Sequence, residues 1–197
     1  MNPQETTLID LFERTGAYLR GHFRLTSGLH SPEYLQCALV LQHPPHAESL
    51  GRQLARAIQT VLGASQASLV ASPAIGGLII GHEVARALGS RCVFAERDAD
   101  RKMTLRRGFS VQPGETAVVV EDVVTTGGST REVVDLLASA GARVLAAGSI
   151  IDRSDGAASV GAPRVALVTL NVTAWPPDDC PLCRQGLPVV KPGSRPA

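Results

Sequence analysis

Two adjacent carboxylates, Glu121 and Asp122, directly follow an apolar run and precede a turn rich in hydroxyls and glycines. The run 117–120 is Ala-Val-Val-Val, which is typical of a strand buried on both faces of a parallel sheet. Open α/β sheets bind ligands at the carboxyl ends of their strands, so we expect both carboxylates to face a ligand. Carboxylates accept hydrogen bonds from neighbouring sugar hydroxyls, whereas a phosphate group alone would not favour them.

The turn after the carboxylates has the features of a phosphate site. A helix is predicted from Ser129 to Ala140, with Ser129 and Glu132 as an S-x-x-E capping box. Its first backbone N–H groups, the glycines that permit close approach and the hydroxyl donors all suit an anion. An ordinary capped turn with two solvated acids is the alternative interpretation. Carboxylates followed by amides indicate a sugar phosphate, and the predicted binding segment is Glu121, Asp122, Val123, Val124, Thr125, Thr126, Gly127, Gly128 and Ser129.

This segment closely resembles the phosphoribosyl diphosphate (PRPP) motif of type I phosphoribosyltransferases. No Walker A or G-x-G-x-x-G pattern competes with it in the chain. The resemblance implies an α/β fold of that type, with a central, mostly parallel sheet of about five strands flanked by helices and a small N-terminal hood.

Length and composition indicate a single α/β domain. The 197 residues are 44% hydrophobic with a net charge of +1, which suffices for one core and gives no electrostatic case for nucleic acid or an anionic membrane. We expect one domain over 1–170 with a hood at about 20–40, and a proline-rich extension over 171–197 packed on the body through Leu182, Leu187, Val189 and Val190.

The chain shows no targeting segment or membrane span, which predicts a cytoplasmic protein.

Apolar spacing predicts alternating helices and strands. Leu8, Leu11, Phe12 and Leu19 indicate a first helix, and Leu50, Leu54, Ile58 and Val61 a second that ends at Gly63. A helix is also predicted over 77–88, and strands over 68–71, 91–95, 116–120, 143–151 and 164–170.

Two further segments suit a diphosphate. Ser72–Gly77 is a second glycine turn between a strand and a helix, in which Ile75 and Gly76 would approach an anion. Glu96–Gly108 is dense in charge and predicts a mobile loop, whose cations Arg97, Arg101 and Lys102 could close over the developing charge. The alternative for the first segment is a glycine turn that only permits tight packing. The alternative for the second is a solvated connection.

The base site is predicted from Arg153, which follows the strand over 143–151 and could pair with an acidic substrate. Pairing with Asp152 or Asp155 is the alternative. The segment Leu25–Leu35 resembles the hood of orotate phosphoribosyltransferases, and the order and spacing of the other motifs are similar to that family over residues 5–170. Many relatives have lysines where this chain has Thr26 and Gly76.

That resemblance implies transfer of phosphoribose from PRPP to orotate with Mg²⁺, in a homodimer. Thr125 and Arg153 would contact orotate, residues 121–129 the ribose phosphate, and Lys102 the diphosphate, with Lys102 and Asp122 as catalytic residues. No protein ligands are predicted for Mg²⁺, which PRPP and water would hold. A purine-type phosphoribosyltransferase and a PRPP-sensing regulator of the same fold are the alternatives.

The four cysteines, Cys37, Cys92, Cys180 and Cys183, are too scattered for a disulfide framework and are predicted to be thiols. Cys180 and Cys183 form a C-x-x-C, but the sequence shows no second pair of ligands that a structural zinc ion would need. We therefore expect incidental cysteines, with a redox pair or a metal shared between subunits as alternatives.

Overall fold

The computed structural model describes residues 3–25 and 27–192. The chain divides into two compact units, one drawn from residues 1–40 and 171–197 and the other from residues 41–170. In chain order the elements are α1 (Pro3–Arg14), β1 (Tyr18–Arg24), β2 (His30–Leu35), α2 (Cys37–Leu41), α3 (Pro44–Leu62), β3 (Leu69–Pro73), α4 (Gly77–Leu88), β4 (Arg91–Arg97), β5 (Met103–Leu105), β6 (Thr116–Val124), α5 (Gly128–Ser139), β7 (Arg143–Asp152), β8 (Arg164–Thr169) and α6 (Pro181–Arg184), with a 3-10 turn at Pro177–Asp179.

The unit formed by residues 41–170 contains a six-stranded sheet in the order β5-β4-β3-β6-β7-β8. All neighbouring pairs are parallel except β4 and β5, which are antiparallel. The predicted α/β fold with a mostly parallel sheet is confirmed, and β5 is the strand of this sheet that the sequence did not predict. Its short length and charged surroundings hide the apolar pattern by which strands are recognised.

Both faces of this sheet are buried. One face packs against Val133, Val134 and Leu137 of α5 through a cluster of alternate strand residues that includes Leu69, Ala71, Val93, Ala95, Ala117 and Val119. Val70, Val118 and Val120 point the other way and are also fully buried, because α4 packs on β3 and β6. This arrangement explains why β3 and β6 are continuous apolar runs rather than alternating ones.

Helix α3 packs on β7 and β8, and its core face matches the predicted spacing in part. Leu50, Leu54 and Ile58 are inaccessible to solvent, and the helix ends at Gly63, which has φ of 60°. Val61 was wrongly assigned to this face, since it is 41% exposed. The close contact of α3 with the sheet needs a glycine at 148, where a Cβ atom would lie 2.7 Å from Cδ1 of Ile58.

The unit formed by the two ends of the chain contains α1, an antiparallel β1–β2 hairpin and the segment 171–192. Leu19 was wrongly assigned to the first helix, since α1 ends at Arg14 and Leu19 lies in β1. Segment 171–192 joins the hairpin through bridges between Phe23 and Val190 and between His30 and Trp175. Among the described residues, no helix has the length and apolar character needed to cross a membrane.

Candidate active site

Strand β6 carries the two carboxylates. It continues to Val124, four residues beyond the predicted end at Val120, because parallel pairing with β7 extends to Val124 and Asp152. Glu121 and Asp122 therefore lie within the last part of a strand rather than after it. Glu121 is 9% exposed and Asp122 is partly buried, so neither is a solvated surface acid.

Burial and mutual repulsion change the ionisation of this pair. Burial, together with the neighbouring charge of Asp122, raises the pKa of Glu121 to about 9. Burial also raises the pKa of Asp122, while hydrogen bonds from the Val123 backbone N–H and from Glu121 act to lower it. Glu121 is therefore neutral at neutral pH, and its side chain is hydrogen-bonded to that of Asp122.

The turn after β6 leaves backbone donors exposed. Thr125, Thr126 and Gly128 are exposed, and α5 begins at Gly128 with Gly127 as its N-cap at φ of 80°. A Cβ atom at Gly127 would also lie 2.9 Å from a methyl group of Val160, so both backbone conformation and packing require glycine there. The N-terminus of α5 thus faces outward directly beside the carboxylates.

The predicted capping box was wrong. No side chain caps α5, which begins one residue before Ser129. Glu132 instead accepts two hydrogen bonds from the Arg97 guanidinium, at 2.8 and 3.0 Å. Thr130, which the sequence analysis did not select, is 2% exposed and hydrogen-bonds Glu121. Its position next to Ser129 was the only signal for it.

The glycine turn between β3 and α4 approaches the same carboxylates. A Cβ atom at Gly76 would lie 2.6 Å from Oδ1 of Asp122, and one at Gly77 would lie 2.9 Å from the carbonyl oxygen of Val120. Ile75 is 83% exposed at the tip of this turn, and the Ala74–Ile75 peptide is cis. The structure therefore brings the two predicted anion-binding turns together at the carboxyl end of β6.

The charged segment Glu96–Gly108, predicted as a mobile loop, contains the end of one strand and a second short strand. Strand β4 runs to Arg97, and β5 pairs with it in the register Ala95 to Leu105 and Arg97 to Met103. The Asp98 carboxylate accepts the backbone N–H groups of Asp100 and Lys102, both at 2.9 Å, which orders the turn between the strands.

The cations of this segment fall into two groups. Arg97 pairs with Glu132, and Arg107 pairs with Glu96 at 2.8 Å. Lys102 and Arg101 are exposed and form no ion pair within residues 3–25 and 27–192. The structure does not place Lys102 in contact with Glu121 or Asp122.

The end of β7 presents Arg153 beside β6. The backbone N–H of Arg153 donates to the carbonyl of Val124 at 2.8 Å, which fixes its position next to the carboxylate-bearing strand. Asp152 is 2% exposed and pairs with Arg164 at 2.7 Å. Burial would raise the pKa of Asp152, but hydrogen bonds from Ser154 and the Arg164 guanidinium hold it below its ordinary value. Thr26, which stands where a lysine was expected, lies outside the described residues.

Comparisons with known proteins show which family this chain resembles. Residues 39–179 match the family model "Phosphoribosyl transferase domain". The orotate phosphoribosyltransferase of Heliobacterium modesticaldum is 52% identical over 95% of this chain and 97% of its own. The orotate phosphoribosyltransferase of Pelotomaculum thermopropionicum is 54% identical over 95% of this chain and 96% of its own. The crystal structure of orotate phosphoribosyltransferase from Aeropyrum pernix superposes with a TM-score of 0.69 at 25% identity, covering 83% of this chain and 93% of that one.

Proposed function

This chain belongs to the phosphoribosyltransferase family and groups with its orotate phosphoribosyltransferases, and on that premise we propose that it transfers the 5-phosphoribosyl group of PRPP to orotate, giving orotidine 5′-monophosphate and diphosphate. The reaction belongs to pyrimidine biosynthesis. The observation that carries the proposal is the Glu121–Asp122 pair at the end of β6, followed directly by the outward N-terminus of α5.

In this proposal the carboxylates hold the ribose. Vicinal hydroxyls of the sugar donate to oxygens of Glu121 and Asp122, both of which retain acceptor lone pairs. A neutral Glu121 adds no negative charge to the pair, which reduces the repulsion of a polyanionic substrate. Asp122 acts as a catalytic residue by steadying the ribose as positive charge develops at its anomeric carbon.

The turn after β6 holds the 5-phosphate. Backbone N–H groups at the start of α5 and the hydroxyls of Thr125, Thr126 and Ser129 supply the donors. The helix dipole adds only about 0.3–1 kcal/mol in exposed geometry, so the hydrogen bonds carry most of the affinity. Val123 and Val124 provide the strand end from which this turn starts, and Gly127 and Gly128 let the phosphate approach the backbone.

Diphosphate leaves between the two glycine turns and the β4–β5 turn. Ile75 and Gly76 lie on the exposed β3–α4 turn, and Lys102 is an exposed cation on an ordered β4–β5 turn. Lys102 acts as a catalytic residue by closing on the growing negative charge of the leaving group. Mg²⁺ would be held by PRPP and water rather than by protein ligands, and it would supply positive charge to the leaving diphosphate.

Orotate binds beside Thr125 and Arg153. The Arg153 guanidinium recognises the orotate carboxylate, and a ring nitrogen then displaces diphosphate at the anomeric carbon without a covalent enzyme intermediate. Arg153 is supported in this role by its backbone hydrogen bond to Val124, which holds it at the end of β7 beside β6. We also propose a cytoplasmic homodimer.

The experiment is a parallel assay of the purified protein with PRPP, Mg²⁺ and one base at a time: orotate, adenine, hypoxanthine or uracil. Ultraviolet absorbance should change only with orotate, and addition of a chelator of Mg²⁺ should abolish the change. Turnover of a purine would instead identify a purine-type enzyme. Binding of PRPP with no turnover of any base would identify a PRPP-sensing regulator.

A further inference from the structure

Four metal-ligand side chains converge in the unit formed by the two ends of the chain. They are His22 on β1, His30 on β2, and Cys180 and Cys183 at and within α6. Their ligand atoms all lie within 4.8 Å of one another. The second pair of ligands that the sequence did not reveal for the C-x-x-C is thus a pair of histidines about 150 residues earlier in the chain.

We propose that these residues form a structural Zn²⁺ site of the Cys₂His₂ type. The spacing of the ligand atoms suits the ion. Sγ of Cys180 and of Cys183 lie 3.5 and 3.7 Å from Nε2 of His22, and Sγ of Cys183 lies 3.2 Å from Nδ1 of His30. Ligands of tetrahedral Zn²⁺ are separated by about 3.3–3.8 Å, given Zn–N of about 2.0 Å and Zn–S of about 2.3 Å.

The two imidazoles are the closest pair, with His22 Nε2 and His30 Nδ1 2.9 Å apart. Without a metal, this contact is a hydrogen bond in which one nitrogen carries a proton. Binding of Zn²⁺ replaces that proton and separates the nitrogens by a few tenths of an ångström.

The protein fixes the tautomer of His22. Its Nδ1 lies 2.8 Å from the carbonyl oxygen of Leu187. A carbonyl can only accept, so Nδ1 carries the proton and the lone pair of Nε2 faces the two sulfurs. Such a second hydrogen bond, which orients the ring and raises its basicity, is the usual partner of a metal-bound histidine.

Local backbone structure aims each ligand inward. The β1–β2 register shifts between Arg20 and Phe23, so His22 and Phe23 are buried in succession and the strand alternation is broken. His30 exchanges two backbone hydrogen bonds with Trp175, at 2.8 and 2.9 Å. Cys180 is the N-cap of α6 and Cys183 follows one turn later, which places both sulfurs on one side of the helix.

The segment 171–192 needs such an anchor because it buries little else. Among its residues only Cys180 is buried, at 0% exposure. The apolar residues predicted to dock it are not buried: Leu187, Val189 and Val190 are 46%, 47% and 53% exposed. Four metal–ligand bonds would hold the segment to the hairpin, since hydrophobic burial does little to hold it there. Metal binding would then be coupled to the folding of this segment.

Zn²⁺ is favoured over other ions by the ligand set. Two thiolates and two imidazoles in a tetrahedral arrangement suit Zn²⁺, whereas Mg²⁺ prefers oxygen ligands. The proposed site is therefore independent of the Mg²⁺ that PRPP brings, and its test does not depend on transfer activity.

The test is metal analysis of the purified, full-length protein. We expect about one Zn²⁺ per chain, as for a closed four-ligand site, and near-complete loss in Cys183→Ser and His30→Asn. Cys92→Ser and His82→Asn are matched controls that change the same residue types outside the cluster, and they should retain the metal. Retention of Zn²⁺ in Cys183→Ser, or its absence from the wild type even after titration with Zn²⁺, would overturn the proposal.

Three measurements on the wild-type protein remain informative should the variants not fold. Replacement of Zn²⁺ by Co²⁺ should give the visible absorption of a tetrahedral site and thiolate charge-transfer bands, whereas a purely six-coordinate spectrum would overturn the site. Stripping the metal with a chelator should speed proteolysis within 171–192, and Zn²⁺ should reverse this. Isolation of the protein under anaerobic conditions with a Cys180–Cys183 disulfide would show a redox pair instead and contradict the proposal.

Discussion

Gly76 lies against the carboxylate of Asp122, so closely that a Cβ atom on Gly76 would be 2.6 Å from Oδ1. Gly76 has ordinary right-handed helical dihedrals, φ −57° and ψ −42°, and so the backbone does not require glycine there. The requirement comes from the neighbouring strand. Glycine at position 76 thus makes room for the carboxylate of Asp122.

Gly76→Ala should therefore displace Asp122. We expect a loss of about 1–3 kcal/mol in the free energy of unfolding, as for other overpacked sites, together with weaker PRPP binding. Chemical denaturation and calorimetric titration would measure the two effects. In an Asp122→Ala background the same substitution should cost little, because the carboxylate is gone. An equal cost in both backgrounds would rule out this contact as the cause.

Glu121 should make stability depend on pH. Its folded-state pKa of about 9 lies above the ordinary value of 4.5, so between these values the unfolded chain releases a proton that the folded protein keeps. The contribution of this proton to the free energy of unfolding is complete below about pH 4.5 and is lost progressively as the pH rises towards 9.

Glu121→Gln mimics the neutral carboxyl and should remove this dependence. Relative to the wild type, the ligand-free variant should become more stable as the pH rises from 5 to 9, by about a few kcal/mol at the upper end. Urea denaturation at several pH values would show it. Parallel stability profiles of the two proteins would contradict the raised pKa.

Lys102→Ala should lower kcat much more than the affinity for PRPP, because the charge that Lys102 meets grows only as diphosphate leaves. We expect a loss of about 10²-fold or more, as for other single electrostatic contacts in transition states. Arg143→Ala is a matched control, since Arg143 is an exposed cation at the start of β7, at the opposite end of that strand from Asp152. Unchanged kcat in Lys102→Ala would remove the lysine from the catalytic set.

Substitution of Arg153 should affect substrate recognition, whereas substitution of Arg164 should affect stability. Arg153→Ala should raise the KM for orotate and spare PRPP binding. Arg164→Ala should instead destabilise the fold by about 3–5 kcal/mol, because it leaves Asp152 as a buried charge without its cation. Steady-state kinetics and thermal unfolding of both variants would test this. An unaltered orotate KM in Arg153→Ala would assign the base site to other residues.

Local sequence determined the main helices and strands and the residue types of the turn that follows β6. The apolar run 117–120 and the helix 77–88 could be read directly, since burial on a sheet or along a helix face imposes its own periodicity. The adjacent acids, hydroxyls and glycines of 121–129 are contiguous, so their proximity needs no tertiary information. The predicted family followed from this one segment and its neighbours.

Tertiary structure decided whatever depends on partners distant in the chain. The sequence predicts that Glu132 caps its own helix, but in the folded chain Glu132 accepts a hydrogen bond from Arg97 at the end of β4. Lys102 lies on an ordered turn because β5 pairs with β4. His22 and His30 look like incidental histidines until the last segment of the chain brings Cys180 and Cys183 to them. Sequence spacing reports neighbours along a helix or strand, whereas a ligand shell assembled from three elements exists only once the chain has folded.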